Sequence, residues 1–405
     1  MMSNLFPPVI SGSSLQLYEL SLRLVRRGHR VIVITARYDK TLHEHEVING
    51  IEVYRLPAIR LPQLAVALRF KWLTATFSPR NLRRIRSILA HHAVDLIHLH
   101  NHMFDLAFSA AFLKRALRLP LVLSLHTPIT HNNVFYNAVL VAAERFILKP
   151  LIINAADSIV CPDHNIVKYI TRRFKSRRFT IIPYGVEEIF EPTSEMVASL
   201  TKKFGLSGKR VILSVGHLHL IRNRIDLIRA MPEILRHVPE AMLLIVGAVE
   251  EQQPLALVKQ LGLSNNVIFT GIQENLVVRA LLWICDIEAH WFTLDHPPID
   301  SSPGIATMEA MLAGRPAMTM ASEDTFGPGV LKQFKNIVLV RPGDTAAIAE
   351  KIIRLLTHRE LASAIGVAGR LVARQYFAWP EVTSRMEALY ASVIAKSEIA
   401  DTKVA

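Results

Sequence analysis

One carboxylate, Glu309, stands in "SSPGIATMEAMLAGRP" (residues 301–316) among small and apolar residues. Gly304, Ala306, Ala310, Ala313 and Gly314 leave the backbone and the acid open to a ligand. The plain alternative is a solvent-exposed glutamate near a helix start, stabilised by the dipole. Two further stretches carry candidate chemistry. "FPPVISGSSLQLYEL" has a Pro-Pro turn and a small-residue loop, Ser11-Gly12-Ser13, opening a helical pattern, where free backbone amides suit a phosphate. "VILSVGHLHLIRNRIDLIRAM" is a strand ending in Gly216, then a loop with His217, Arg222 and Arg224. The alternating histidines of "HLHNHMF" end a strand and read as cleft lining rather than a zinc site, since no Cys/His cluster has metal-ligand spacing. Cys161 and Cys285 lie far apart in apolar runs, as buried thiols of a reducing compartment do.

These residues need rigid elements to hold them. Short β-rich runs alternate with longer helical patterns, the sign of parallel α/β sheets. "RVIVITA", "DLIHLH", "LPLVLSLHT", "DSIVCP" and "FTIIPYG" read as strands in the first half. In the second half "RVILSVG", "AMLLIVG", "NVIFTG", "DIEAHWF", "RPAMTMA" and "NIVLVRP" do the same. "PYGVEEIFEPTSE" reads as the linker, and long amphipathic helices close the chain. The expected fold is α/β, with two doubly wound, Rossmann-like domains facing across a cleft and ligands at the carboxyl ends of the strands. Expected boundaries are 1–188, 189–375 and a final helix, 376–405, packing back toward the first domain. Only six residues precede Pro7-Pro8. The first strand is therefore expected to be missing or a stub, leaving its neighbours unpaired.

The 405 residues carry a net charge of +13, and it is not evenly spread. Residues 1–188 hold 25 Lys and Arg against 12 Asp and Glu, whereas residues 189–405 hold 22 of each. The stretch from Val53 to Val94 contains no acid and alternates Arg and Lys with Leu, Phe and Trp. Nucleic acid and anionic membrane both attract such a surface, but bulky apolar residues between the cations favour a membrane. Arg69, Lys71, Trp72, Arg80, Arg83 and Arg84 are the candidate membrane or acceptor surface, with no nucleic-acid partner expected. A core stripe with a solvated basic face is the bland reading. No apolar run reaches membrane-span length, and the N-terminus has neither the basic nor the apolar region of a signal peptide. A cytoplasmic chain, peripheral at the membrane's cytoplasmic face, is expected.

Taken together, the order and spacing of these stretches, with "DLIHLHNH", "LSLHTP", "IIPYGVEEIFEP", "LLIVG", "LGLSNNVIFTG" and "VRPGDTAAIAEKIIRLL", resemble the retaining glycosyltransferases of family 4, which have the GT-B fold. The resemblance runs across essentially the whole chain. It implies a hexosyl transfer from a nucleotide-diphosphate sugar to an acceptor hydroxyl, without metal or other cofactor. The basic, apolar first half suggests a lipid-linked or cell-envelope glycan acceptor. Residue by residue the resemblance implies that Glu309 binds ribose hydroxyls and that Gly12 belongs to a phosphate loop. His126 would reach the donor sugar and Arg222 would hold the diphosphate, these two being the expected catalytic residues. Gly216, His217, Ser301, Gly304 and Ile305 would complete the donor site. The chain departs from the family pattern in three places. Ser301 replaces the first glutamate of E-x7-E, His217 replaces an arginine for which Arg224 could substitute, and Ser11 replaces a loop glycine. Asp295 or Asp300, in an insertion, could return a carboxylate. The departures keep open a catalytically impaired subunit that only binds nucleotide-sugar; an epimerase of the same fold lacks the acid/base carboxylates it would need.

Overall fold

The computed structural model describes residues 1–9, 11–60, 74–131, 133–176, 178–218, 224–290 and 302–402. The chain forms two units, Met1–Gly185 with Val382–Ala405, and Val186–Glu381.

Unit 1 runs through α1 (Gly12–Arg26), β1 (Ile32–Arg37), β2 (His45–Ile48), β3 (Ile51–Pro57) and a short antiparallel pair, β4 (Ile59–Arg60) and β5 (Thr74–Ala75). Next come α2 (Pro79–His91), β6 (Ile97–His100), α3 (Leu106–Leu117), β7 (Leu121–Ser124), α4 (Val134–Ala143) and α5 (Lys149–Leu151). It continues with β8 (Ser158–Cys161), α6 (His164–Phe174) and β9 (Phe179–Ile181). Every residue of β6, β7 and β8 is buried, because crossover helices cover both faces of a parallel sheet.

The expected gap in this sheet is filled. Met2 bridges Ile34 of β1 and Leu99 of β6 in parallel, joining the β2-β3-β1 and β6-β7-β8-β9 segments. Met2 donates its amide to His98 O at 2.8 Å and accepts from His100 N at 2.9 Å, while Ile34 N donates to Met1 O at 2.9 Å. Three residues supply the ladder bonds that the neighbours need, and Met2 is buried in the core with Ile34 and Leu99. Counted with this stub as the first strand, the order from β3 to β8 is 3-2-1-4-5-6. The β2–β3 hairpin went unnoticed in the sequence. Its turn is Asn49-Gly50, both at positive φ, as a tight two-residue hairpin turn requires.

Unit 2 comprises α7 (Ser194–Lys203), β10 (Arg210–Val215), α8 (Ile225–His237), β11 (Ala241–Val246), α9 (Gln253–Gln260), β12 (Val267–Gly271) and α10 (Asn275–Ile284). After these come β13 (Ile287–His290), α11 (Ile305–Leu312), β14 (Ala317–Thr319), β15 (Val338–Leu339), α12 (Thr345–Thr357) and α13 (Arg359–Tyr376). Its six-stranded parallel sheet has the order β12-β11-β10-β13-β14-β15, again 3-2-1-4-5-6. The strand order reverses between β10 and β13, and the crevice outside their carboxyl ends is where such a sheet holds a ligand. The closing helix, α14 (Trp379–Thr402), contributes Val382 onward to unit 1, where Tyr390 hydroxyl lies 2.6 Å from His98 Nδ1.

Candidate functional site

In unit 2 the expected donor residues gather at the switch point. Gly216 follows β10 at φ 129°, and a β-carbon there would stand 3.0 Å from Arg224 Nη2. Arg224 is fully buried and precedes α8 with φ 59°. Its guanidinium donates Nε–H to Ser214 Oγ at 2.9 Å and Nη2–H to Val215 O at 2.9 Å. It therefore fastens the strand end to the loop. This corrects the expectation that Arg224 stands in as a second cation for a ligand, since its donors serve the chain's own oxygens. His217 is exposed, and its Nδ1 accepts the Ala248 amide at 3.0 Å. That contact leaves Nε2 of His217 as the nitrogen facing away from the backbone. Arg222 and Ser301, with Asp295 and Asp300, lie outside the described residues.

On the other side of the switch point, Gly304 is the N-cap of α11 and has no side-chain cap beside it. The first-turn amides, that of Ile305 first, are left for a ligand. A β-carbon on Gly304 would meet His290 Nε2 at 3.0 Å, so the helix start rests directly on the buried imidazole at the end of β13. His290 Nδ1 donates to Val215 O at 2.9 Å, linking β13 to β10. Glu309, one turn along α11, is half-buried, and its carboxylate has no hydrogen-bond partner among the described residues. Burial pushes its carboxyl up to about 7, with Arg279 opposing.

Two functional candidates here escaped the sequence reading. Glu288 and His290 share one face of β13 by the two-residue period. Glu288 is fully buried beside the Thr307 hydroxyl, and burial raises its carboxyl to about 8 while Thr307 and then Arg224 pull the other way and Glu309 adds to the rise. The available signal was a Glu and a His two apart in "DIEAHWF", an otherwise apolar strand.

In unit 1, Ser11 caps α1 and forms a capping box with Ser14, whose amide donates to Ser11 Oγ at 3.1 Å. The Gly12 and Ser13 amides precede that bond and have no intrahelical acceptor; nothing lies within 4 Å of a β-carbon built on Gly12. His126 follows β7. Its Nε2 lies 3.0 Å from His100 Nδ1, its Nδ1 lies 3.1 Å from the Tyr184 hydroxyl, and the three rings are stacked. Burial lowers His126 to about 4 and His100 well below its ordinary value. A neutral imidazole in this position hydrogen-bonds a hydroxyl without carrying charge.

The other histidines of "HLHNH" are buried too. His98 Nε2 lies 2.8 Å from Ser124 Oγ, and His102 lies 3.4 Å from Glu144, which pairs with Arg173 Nε at 3.0 Å. Among the described residues no three His, Cys, Asp or Glu are grouped to hold a metal. Both cysteines are free and buried. On α2, Arg80 and Arg83 are exposed, whereas Arg84 is tied to Glu44 at 3.0 Å. Arg69, Lys71 and Trp72 lie outside the described residues.

Comparison with known proteins shows the family. The Glycosyltransferase Family 4 profile matches residues 10–188, and the Glycosyl transferases group 1 profile matches residues 198–372. An uncharacterized glycosyltransferase of Methanocaldococcus jannaschii is 29% identical over 369 residues, 87% of each chain. A phosphatidyl-myo-inositol mannosyltransferase of Mycobacterium leprae is 26% identical, over 96% of this chain and 94% of that protein. The crystal structure of Anabaena HepE in complex with UDP superposes with a TM-score of 0.71 at 19% identity, covering 96% of this chain and 98% of that one.

Proposed function

The chain belongs to the family 4 glycosyltransferases, with the GT-B fold, and on that premise we propose that it is a retaining hexosyltransferase using a nucleotide-diphosphate sugar. The observation that carries this reading is the start of α11. Uncapped amides at Gly304 and Ile305 lie at the Rossmann switch point, in the same helix as a half-buried carboxylate that has no hydrogen-bond partner among the described residues. Glu309 accepts the ribose hydroxyls, and the helix start with Arg222 takes the diphosphate. His126, neutral, exchanges its Tyr184 contact for a hydroxyl of the donor sugar, and the amides of the Gly12 loop are a further phosphate ligand.

The reaction breaks the bond between the anomeric carbon and the diphosphate oxygen. The acceptor oxygen bonds that carbon from the same face, and its proton passes to the leaving diphosphate. Charge grows on the diphosphate as the bond breaks, so fixed amides and a guanidinium lower the barrier without a metal. The UDP bound by the HepE structure supports a nucleotide donor. The mannosyltransferase relative named for a phosphatidylinositol supports a lipid-linked acceptor, and so does the basic first half of the chain. On the basic first half of the chain and the lipid-named relative we place the enzyme at the cytoplasmic membrane face as a peripheral protein. No described helix is long and apolar enough to cross a membrane. The second reading, a subunit that binds but does not transfer, is favoured by Ser301 in place of a glutamate and His217 in place of an arginine. A panel of nucleotide-diphosphate sugars, scored by thermal shift and by slow donor hydrolysis, separates the two. Binding with hydrolysis supports transfer, binding without it supports the second reading, and no binding rejects both.

A further inference from the structure

Unit 1 carries a helical stretch that its own packing does not explain. α4 continues through a π-helical turn, Glu144–Leu148, into α5, so one rod runs from Val134 to Leu151. The ten residues of α4, "VFYNAVLVAA", contain no charge, yet none of them is buried. Val134 is 84% exposed, Phe135 71%, Val139 52% and Phe146 71%. One side of α4 (Tyr136, Asn137, Leu140, Val141, Ala143) is half-buried, while Val134, Phe135 and Val139 stay exposed on the other, where an apolar surface needs an apolar partner. A cap at its start and an anchor at its middle hold the rod. Asn133 caps it by accepting the Phe135 amide at 2.9 Å, and Glu144 anchors the π turn through Arg173.

We propose that this rod is the membrane-docking element of the protein, lying in the plane of an anionic bilayer surface with Phe135, Val139 and Phe146 inserted. Three observations choose that occupant. The rod's one acid, Glu144, is buried and paired, so the charges it shows are Arg145 and Lys149. Both sit at its C-terminal end, suited to headgroup phosphates while the rings enter the acyl boundary. Unit 1 holds 28 Lys and Arg against 13 Asp and Glu, a net +15, whereas unit 2 holds 19 against 21. A second copy docked on the same face by two-fold symmetry would bring like charges together with no acid of the rod to pair them. The stretch is also too short to span, at about 27 Å for eighteen residues including their polar and charged ones. Arg80 and Arg83 of α2 can add long-range attraction, but the apolar insertion is assigned to α4.

The choice of partner rests on the lipid-linked acceptor reading above. The test uses the full chain with an environment-sensitive nitrobenzoxadiazole dye on Val139→Cys, the two native cysteines being buried. Vesicles of phosphatidylcholine alone are compared with vesicles containing a third phosphatidylglycerol. A blue-shifted, brighter dye on anionic vesicles is expected, with a loss of vesicle affinity on the order of 30-fold in Phe135→Ser/Phe146→Ser. Nucleotide-sugar binding of that variant, measured in parallel without vesicles, should be unchanged and shows that it is folded. A silent dye overturns the docking assignment while an intact donor response leaves the transferase reading standing. A dye that responds to protein concentration without vesicles overturns it in favour of self-association. Insertion in a protein that binds no donor sustains docking and defeats the transferase reading.

Discussion

His100 Nδ1 and His126 Nε2 face each other at 3.0 Å, and only one of the two nitrogens can carry the shared proton. Burial holds the pair neutral, with the Tyr184 hydroxyl 3.1 Å from the far nitrogen of His126. His126→Ala should lower sugar transfer roughly 10–100-fold while nucleoside diphosphate affinity stays within about twofold, since the ring serves the sugar and not the nucleotide. Equal losses for the sugar and the bare diphosphate would remove His126 from its assigned place.

The same burial has a consequence for acid stability. His126 is lowered from 6.5 to about 4, with His98 and His100 displaced in the same direction by burial. Between those values the unfolded chain binds protons that the folded chain refuses, so stability falls as pH drops from about 6.5 toward 4. Melting temperature should fall in that window. His100→Asn should shallow the slope, and an unaltered slope would show that other groups control acid unfolding.

Glu309 and Glu288 act in the opposite sense. Their carboxyls rise from 4.5 to about 7 and about 8, so the folded chain holds these protons more tightly than the unfolded chain. Their contribution is largest at low pH and is lost as pH rises from about 4.5 through 7 to 8. Glu288→Gln should melt higher than wild type at pH 8 and no higher at pH 4. Donor affinity should increase as pH passes about 7, because Glu309 must ionise to accept two ribose hydroxyls. A donor affinity flat from pH 6 to 8 would contradict that role.

Glu309→Ala should weaken nucleotide-sugar binding by about 1.5–3 kcal/mol, the value of a hydrogen bond to a charged group, without lowering the melting temperature. Isothermal titration with the nucleoside diphosphate decides it. An unchanged affinity would return Glu309 to the plain helix-surface reading.

Gly304 and His290 provide a steric test. A methyl at Gly304 would press on the imidazole at 3.0 Å, and backbone anchors keep His290 from moving aside. Gly304→Ala should therefore shift the start of α11 and reduce donor affinity, on the order of tenfold for a lost pair of amide contacts. Pairing it with His290→Ala should restore part of the loss. No recovery in the double variant would mean that the glycine is required for another reason.

Arg222 and Arg224 separate by what each change disturbs. Arg224→Met leaves Ser214, Val215 and Gly216 without their buried donor, and should cost about 2–4 kcal/mol of stability. Arg222→Ala should lower turnover at unchanged melting temperature. Calorimetry of both variants beside their rates would show the opposite assignment if Arg224→Met melted like wild type.

Residue type and spacing along the chain were enough to determine the α/β class, the two-domain plan and most central strands. Runs such as "AMLLIVG" and "DSIVCP" are apolar at every position because both faces of a parallel sheet are covered. The candidate helix start at Gly304 and the acid at Glu309 were legible for a similar reason, since small residues around one carboxylate have few other uses. What a segment becomes when its partners are distant in sequence was decided only by the tertiary structure. Met1–Ser3 looked too short for a strand, yet two neighbours more than thirty residues away supply its hydrogen bonds. Arg224 looked like a spare cation until folding turned its guanidinium onto carbonyls of β10. Glu288 looked like one polar residue in a strand, and only burial beneath α11 gives it a displaced proton affinity. The exposure of the rod from Val134 to Leu151 has no sequence signal, because composition reports what a helix could bury and not whether anything covers it.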